Sequence, residues 1–298
     1  MSLVSVVIPN YNYGRYVCAA VDSVLSQTHQ NIEVIVVDNG STDDSLQRLR
    51  RFGDRIRVIP QENRGQAGAR NRGISESRGD WVAFCDADDC WSPTKLEEQL
   101  ARFDRPSVGL VYTGYYLCDQ DLRPMRQVKA KNRGRVLPLF AEGSAAVIPA
   151  GESSVLIRRA VLEQVGGFDE KLSISAGFDF YRRICQYFEV EAVAEPLVFY
   201  RQHPNSASRR SDAFARDYLR ALEKMFSDPD ASELLALRAA CLGRAHVSLS
   251  GAFFQSRDFS ASLRHLLLGL WWSPRELKYV LSIGNRILQR RKAARGAH

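Results

Sequence analysis

Hydrophobic and polar positions alternate in blocks along the first hundred residues. Leu3 to Ile8 is a mostly β-branched apolar run stopped by Pro9, which predicts a buried strand. Val17, Ala20, Val21, Val24 and Leu25 then recur at helical spacing, and EVIVVD, Glu33 to Asp38, predicts a second buried strand. Ser41 is placed to cap a following helix whose first turn carries Asp43 and Asp44, where the helix dipole favours acids. Arg55 to Pro60 predicts a third strand, Gly65 to Ser77 a small-residue helix and Trp81 to Cys85 a fourth strand. Ser92 and Pro93 then mark the start of another helix. Continuous apolar strands alternating with amphipathic helices predict an α/β class with a single Rossmann-like, mostly parallel sheet and helices on both faces.

The pattern loosens after Pro106. Val108 to Leu117 and Ser153 to Ile157 are strand-like, GGFDE precedes a helix from Phe178, and two further strands are expected at Val190 to Ala194 and Leu197 to Arg201. Between them Arg123 to Pro138 is a Lys, Arg, Gly and Pro-bearing loop of the length that builds substrate sites on such frames. Beyond HPNSASRRS the pattern turns helical, predicting a C-terminal helical extension. AHVSLSGAFFQSRDFSASLRHLLLGLWWSP resembles one tetratricopeptide-like helix pair, and Ser273 with Pro274 opens a last helix.

In parallel sheets ligands bind beyond the carboxyl ends of the strands. The polar residues there are Asn10 to Asn12, Asp38 to Thr42 and Asp86 to Asp89. Three carboxylates crowded after WVAFC repel one another unless a cation or a basic residue compensates, and helix capping does not require them. A divalent Mg²⁺ or Mn²⁺, which prefers oxygen ligands and shares them with substrate phosphates, fits that need.

Composition narrows the picture. The 298-residue chain is 45% hydrophobic and 25% charged, as expected for a globular protein rather than a disordered one. Its net charge of +7 permits anionic partners, but no motif points to nucleic acid. The six cysteines show no metal-ligand spacing, and the N-terminus carries no basic leader, so reduced thiols in a cytoplasmic protein are expected. No G-x-G-x-x-G follows the first strand, which excludes a dinucleotide-dependent oxidoreductase of that type.

Three segments in order, VSVVIPNYNYGRYVCAAVDSVLSQTHQNIEVIVVDNGSTDDS, ENRGQAGARNRGISESRGDWVAFCDADD and GGFDEKLSISAGFDFYRRI, resemble family 2 glycosyltransferases of the GT-A fold. The resemblance covers about Val4 to His203. It implies a nucleotide-sugar-binding half over residues 1–105, an acceptor-binding half over 106–207 and a helical region over 208–298. It also implies that Pro9, Asn10, Tyr11 and Asp38 contact the nucleotide base, and that Asn63, Gly65, Arg70 and Asn71 pack under the nucleotide. Asp86 and Asp88 match the metal-binding Asp-x-Asp, with Asp88 on the ion and Asp86 at the ribose or ion.

The same resemblance makes Asp179 the general base and His203 a third metal or diphosphate contact. Arg201 is then a phosphate partner by position and Glu152 an acceptor-site candidate. Two positions depart from the family pattern: Phe178 stands where a Glu precedes the base, and Asn39 replaces the second acid of DDGS.

The implied activity is inverting, metal-dependent transfer of a sugar from a nucleoside diphosphate sugar, expected to be UDP-linked, to a hydroxyl of a glycan or lipid-linked acceptor in cell-surface polysaccharide synthesis. The alternatives are a non-catalytic nucleotide-sugar-binding protein on the same fold and a sugar nucleotidyltransferase. The expected location is the cytoplasm, at the inner face of the membrane. Peripheral contact there is expected through a basic amphipathic C-terminal helix carrying Lys278, Arg286, Arg290, Arg291 and Lys292 behind Trp271 and Trp272.

Overall fold

A computed structural model describes residues 2–142, 147–149, 151–203 and 211–277. The chain forms two compact units, Met1–Leu137 with Ala146–Ala207 and Pro138–Ala145 with Ser208–His298. The first is built on β1 (Val4–Asn10), β2 (Ile32–Asp38), β3 (Arg57–Pro60), β4 (Trp81–Phe84), β5 (Cys90–Trp91), β6 (Val108–Cys118), β7 (Pro124–Val128), β8 (Val155–Arg158) and β9 (Glu189–Arg201). The helices are α1 (Gly14–Leu25), α2 (Ser45–Leu49), α3 (Gly65–Glu76), α4 (Lys95–Leu100), α5 (Leu137–Ala141), α6 (Arg159–Val165) and α7 (Ala176–Tyr187), then α8 (Ser211–Ser227), α9 (Arg238–Gln255) and α10 (Phe259–Trp272).

The strands form one sheet in the order β3-β2-β1-β4-β8-β6-β9-β5, with β7 added to β6. Strands β1 to β4 run parallel, in the register Asn10↔Asp38 and Val7↔Phe84. That register sets the polar ends of β1, β2 and β4 side by side. Parallel order is interrupted at β8, which runs antiparallel to both β4 and β6.

The two late strands expected from sequence are one long β9, whose pairing with β6 shifts register near Pro196. Proline has no amide to donate, so the ladder is interrupted there without ending the strand. Two-residue β5 and β7 escaped the pattern because each is short or carries exposed polar positions.

Val4, Val6 and Ile8 pack with Val17, Val21, Val24, Val34 and Val36 in the main core, all nearly free of solvent contact. α3 lies directly on β1: a Cβ at Gly73 would meet Val7 Cγ1 at 2.1 Å, so only glycine permits the approach. Two expected caps are corrected. Ser41 does not cap α2; its hydroxyl accepts from Asn10 Nδ2 and the Asn12 amide, while Asp43 Oδ1 accepts from the Ser45 amide at 3.0 Å. α4 begins after Thr94, not at Ser92, because the backbone first turns through Pro93. Lys95 lies in the core: burial lowers its ammonium to about 7, its Nζ donating to Gln99 Oε1 at 2.8 Å above the Trp91 ring.

In the second unit α9 and α10 meet along small and polar residues. A Cβ at Gly243 would meet Ser273 Cβ at 2.5 Å, the Ser250 and Ser262 hydroxyls are 3.2 Å apart, and His246 Nδ1 faces His265 Nδ1 at 2.9 Å. Burial depresses both imidazoles, His246 to about 4, so the pair stays neutral with one ring donating to the other. Among the described residues no helix is long and apolar enough to cross a membrane. The expected basic helix lies outside the described residues.

Candidate active site

A cavity opens at the carboxyl ends of β1 and β4, lined by Pro9, Asn10, Tyr11, Tyr13, Asn39, Gln66, Ala69, Asp86, Ala87 and Asp88. The parallel register brings these residues together from three separate stretches of chain. Tyr13, Gln66, Ala69 and Ala87 were not singled out from sequence. Gln66 and Ala69 are one helical turn apart on α3, a spacing that could have flagged them once Arg70 was chosen.

The β2 side is built of amides around one acid and is closely hydrogen-bonded. Asn10 Nδ2 donates to Asp38 Oδ1 at 2.8 Å, and Asp38 Oδ2 accepts from the Ser41 amide at 3.2 Å. Asp38 is 1% exposed and is not among the lining residues, so it bears on the cavity by orienting Asn10. With its amide turned to Asp38, Asn10 leaves its own Oδ1 buried and without a hydrogen-bond partner. Asn39 donates from Nδ2 to Asn63 Oδ1 at 3.1 Å and to the Gly65 carbonyl at 3.2 Å. Its Oδ1 accepts from Gln61 Nε2 and the Arg64 amide. A carboxylate could not make the two donations, which is the physical reason for an amide here. Asn63 and Gly65 are thereby placed at the pinned junction of this loop with α3 rather than on the cavity wall. Asn71 sits further along α3, where its side chain receives the Phe168 amide and donates to the Phe168 carbonyl.

The β4 side is charged, and its three acids have different surroundings. Asp86 Oδ1 accepts from Arg70 at 2.7 Å; Asp88 Oδ2 lies 2.9 Å from His203 Nε2; Asp89 is 1% exposed and accepts from Ser153 Oγ at 2.6 Å and the Arg201 amide at 3.0 Å. Burial raises the Asp89 carboxyl well above its ordinary range. Burial would lower the Arg70 guanidinium, but Glu152 at 3.2 Å and Asp86 outweigh it and hold Arg70 above its usual value. His203 is 4% exposed and packs against the rings of Tyr13 and Tyr16.

Two expected roles are corrected. Arg201 does not face a phosphate: it is 6% exposed, its Nε donates to the Asp88 carbonyl at 2.7 Å, and it shapes the acid turn from below the surface. Asp179 does not reach the cavity. Its side chain is fully buried on α7, with Arg183 Nε at 3.0 Å and Arg182 at 3.4 Å. That burial, with a guanidinium on each oxygen, keeps the carboxylate out of reach of a substrate hydroxyl. The start of α7 instead places bare Gly177 against Glu152, whose Oε1 lies 2.4 Å from where a Cβ would stand.

Asp88 and His203 are the residues that fit a divalent ion, since one carboxylate oxygen and one imidazole nitrogen converge there. Asp86 is turned toward Arg70. Among the described residues no group of three His, Cys, Asp or Glu gathers into a complete ligand set. The pair therefore suits an ion whose remaining ligands are phosphate oxygens and water.

The family model for glycosyl transferase family 2 matches residues 5–166. An uncharacterised glycosyltransferase of Nostoc sp. is 36% identical over 234 residues, covering 72% of this chain and 70% of that protein. Among solved structures, S. aureus TarS in complex with UDP-GlcNAc superposes with a TM-score of 0.63 at 15% identity, over 89% of this chain and 90% of that one. The mannosyltransferase PcManGT from Pyrobaculum calidifontis, in complex with GDP-Man and Mn²⁺, does so with 0.62 at 19%, over 95% and 79%. These likenesses establish the GT-A fold expected from the motifs.

Proposed function

The chain belongs to glycosyl transferase family 2 and is an enzyme of the transferase type; from that premise we propose that it moves a sugar, with inversion, from a UDP-sugar to a hydroxyl of a glycan or lipid-linked acceptor. The observation that carries this reading is the cavity flanked by an amide wall and by the Asp88–His203 pair. Asn10 presents a buried oxygen that lacks a donor, and the imide N–H of uracil or guanine is such a donor. Tyr11, 45% exposed at the rim, offers a ring on which a base can stack. Asp86 then meets the ribose, its position fixed by Arg70.

Asp88 and His203 would hold Mn²⁺ or Mg²⁺, which when bound supplies Lewis-acid stabilisation of the diphosphate. The structural neighbours bound to UDP-GlcNAc and to GDP-Man with Mn²⁺ support the donor class and the ion. The test is donor consumption over UDP-, GDP- and dTDP-sugars with Mn²⁺. Consumption of a UDP-sugar that stops on chelation is expected, and no consumption of any donor would overturn the reading.

The helical unit favours a membrane-facing role as well. Phe259, Leu263, Leu267 and Trp271 fall at four-residue spacing on α10 and are 57–72% exposed, a stripe suited to an interface. The basic residues that follow in sequence supply attraction to anionic lipid. Leu267→Ser with Trp271→Ser should weaken sedimentation with phosphatidylglycerol vesicles, and unchanged sedimentation would remove this role.

A further inference from the structure

We infer that Glu152, not an acid of α7, is the general base that takes the proton from the acceptor hydroxyl. The inference rests on the glycosyl-transfer reading above and deepens it. Four acids are tied to the acid turn. Asp86 is held by Arg70, Asp88 faces His203, and Asp89 is sealed between Ser153 Oγ and the Arg201 amide. Glu152 is the fourth, and its side chain is 13% exposed, whereas that of Asp179 is fully buried.

The placement of Glu152 is rigid. The neighbouring Ser153 hydroxyl accepts from the Asp86 amide at 3.0 Å and donates to Asp89 at 2.6 Å, which fastens the Gly151–Ser154 turn to the acid turn. The Ser154 carbonyl accepts from Gln99 Nε2 at 2.9 Å, fixing the turn from the core side. Glu152 Oε2 lies 3.2 Å from the Arg70 guanidinium that also holds Asp86, so the base is coupled to the donor site through one cation. Its Oε1 occupies the space that a side chain at Gly177 would fill. A carboxylate thus stands beside the first turn of α7, whose own acid there, Asp179, is buried against Arg182 and Arg183. Tyr181, also against Gly177, has a buried hydroxyl with no hydrogen-bond partner.

Burial raises the Glu152 carboxyl above its ordinary value, with Arg70 opposing, which makes the ionised form a better proton acceptor than an exposed glutamate. In the step itself the acceptor oxygen bonds to the anomeric carbon as the bond from that carbon to the diphosphate oxygen breaks. The bonding pair leaves on the nucleoside diphosphate, and the hydroxyl proton passes to Glu152 and on to solvent.

The test measures nucleotide release from the donor that turns over fastest among UDP-GlcNAc, UDP-glucose, UDP-galactose and GDP-mannose, with water as acceptor. It is paired with calorimetric titration of UDP and GDP. Glu152→Gln should lower turnover by roughly 10²–10⁴-fold, the range of general-base assistance, while nucleotide affinity stays within threefold. Gly177→Ala leaves the carboxylate in the chain but displaces it, and should lower turnover at least tenfold with nucleotide affinity kept. Turnover of both variants within threefold of the wild type would overturn the inference and leave the transfer reading standing. A wild type that binds neither nucleotide and consumes no donor would overturn both.

Discussion

The ends of β2 and β4 occupy equivalent places in one parallel sheet, yet they are built in opposite ways. After β2 a single acid, Asp38, is absorbed by Asn10 and Ser41, and Asn39 satisfies four groups of the neighbouring loop. After β4 three acids share one buried arginine, one histidine and one serine. The first end is a finished network whose orphan oxygen points to a neutral donor such as a base. The second carries carboxylates that its own residues compensate only in part, as a diphosphate and ion site requires. The teaching is that strand ends locate a site, while the partners each end acquires decide which part of a ligand it meets.

The largest expected effect breaks the charged end. Arg70→Met leaves Asp86 and Glu152 without their shared cation and should cost about 3–5 kcal/mol of stability, the range for orphaning a buried ion partner. Urea unfolding of the variant checks it. Next, Asp88→Asn should lower Mn²⁺-dependent donor turnover by about 10²-fold, roughly 2.7 kcal/mol in the barrier, with little change in the unfolding midpoint. Equal turnover with the variant would remove the ion from Asp88.

A smaller change makes the amide-rich end resemble the charged one. Asn39→Asp replaces two donations with a carboxylate facing two oxygens and should cost about 1–3 kcal/mol, read from thermal unfolding. The smallest effect is one of pH. The Glu152 carboxyl is raised in the fold, so its stabilising contribution is full below the ordinary glutamate range and is lost as pH rises through the folded value. Relative to Glu152→Gln, the wild type should therefore lose melting temperature as pH rises above the ordinary glutamate value of 4.5, and a constant difference would count against the burial argument.

Much of the first unit was legible because apolar runs and their polar stops are local signals. The first four strands and α3 fall within two residues of the positions expected from their patterns, and α1 contains all five of its expected periodic residues. The cavity residues Pro9, Asn10, Tyr11, Asp86 and Asp88 were legible for the same reason, since each follows such a run. Asp179 misled because an acid beside a helix start looks the same in sequence whether it faces a cleft or two buried arginines. Arg201 misled likewise, as nothing local says that its guanidinium turns inward to a backbone carbonyl.

The sequence by itself determined the order of strands and helices, the polar strand ends and the family, because periodicity and motif spacing are written along the chain. Tertiary structure alone decided which acid stands beside the start of α7. Glu152 and Gly177 are distant in sequence, and only the packing of the Gly151–Ser154 turn against α7 and the acid turn makes one residue's carboxylate fill the space that the other leaves empty.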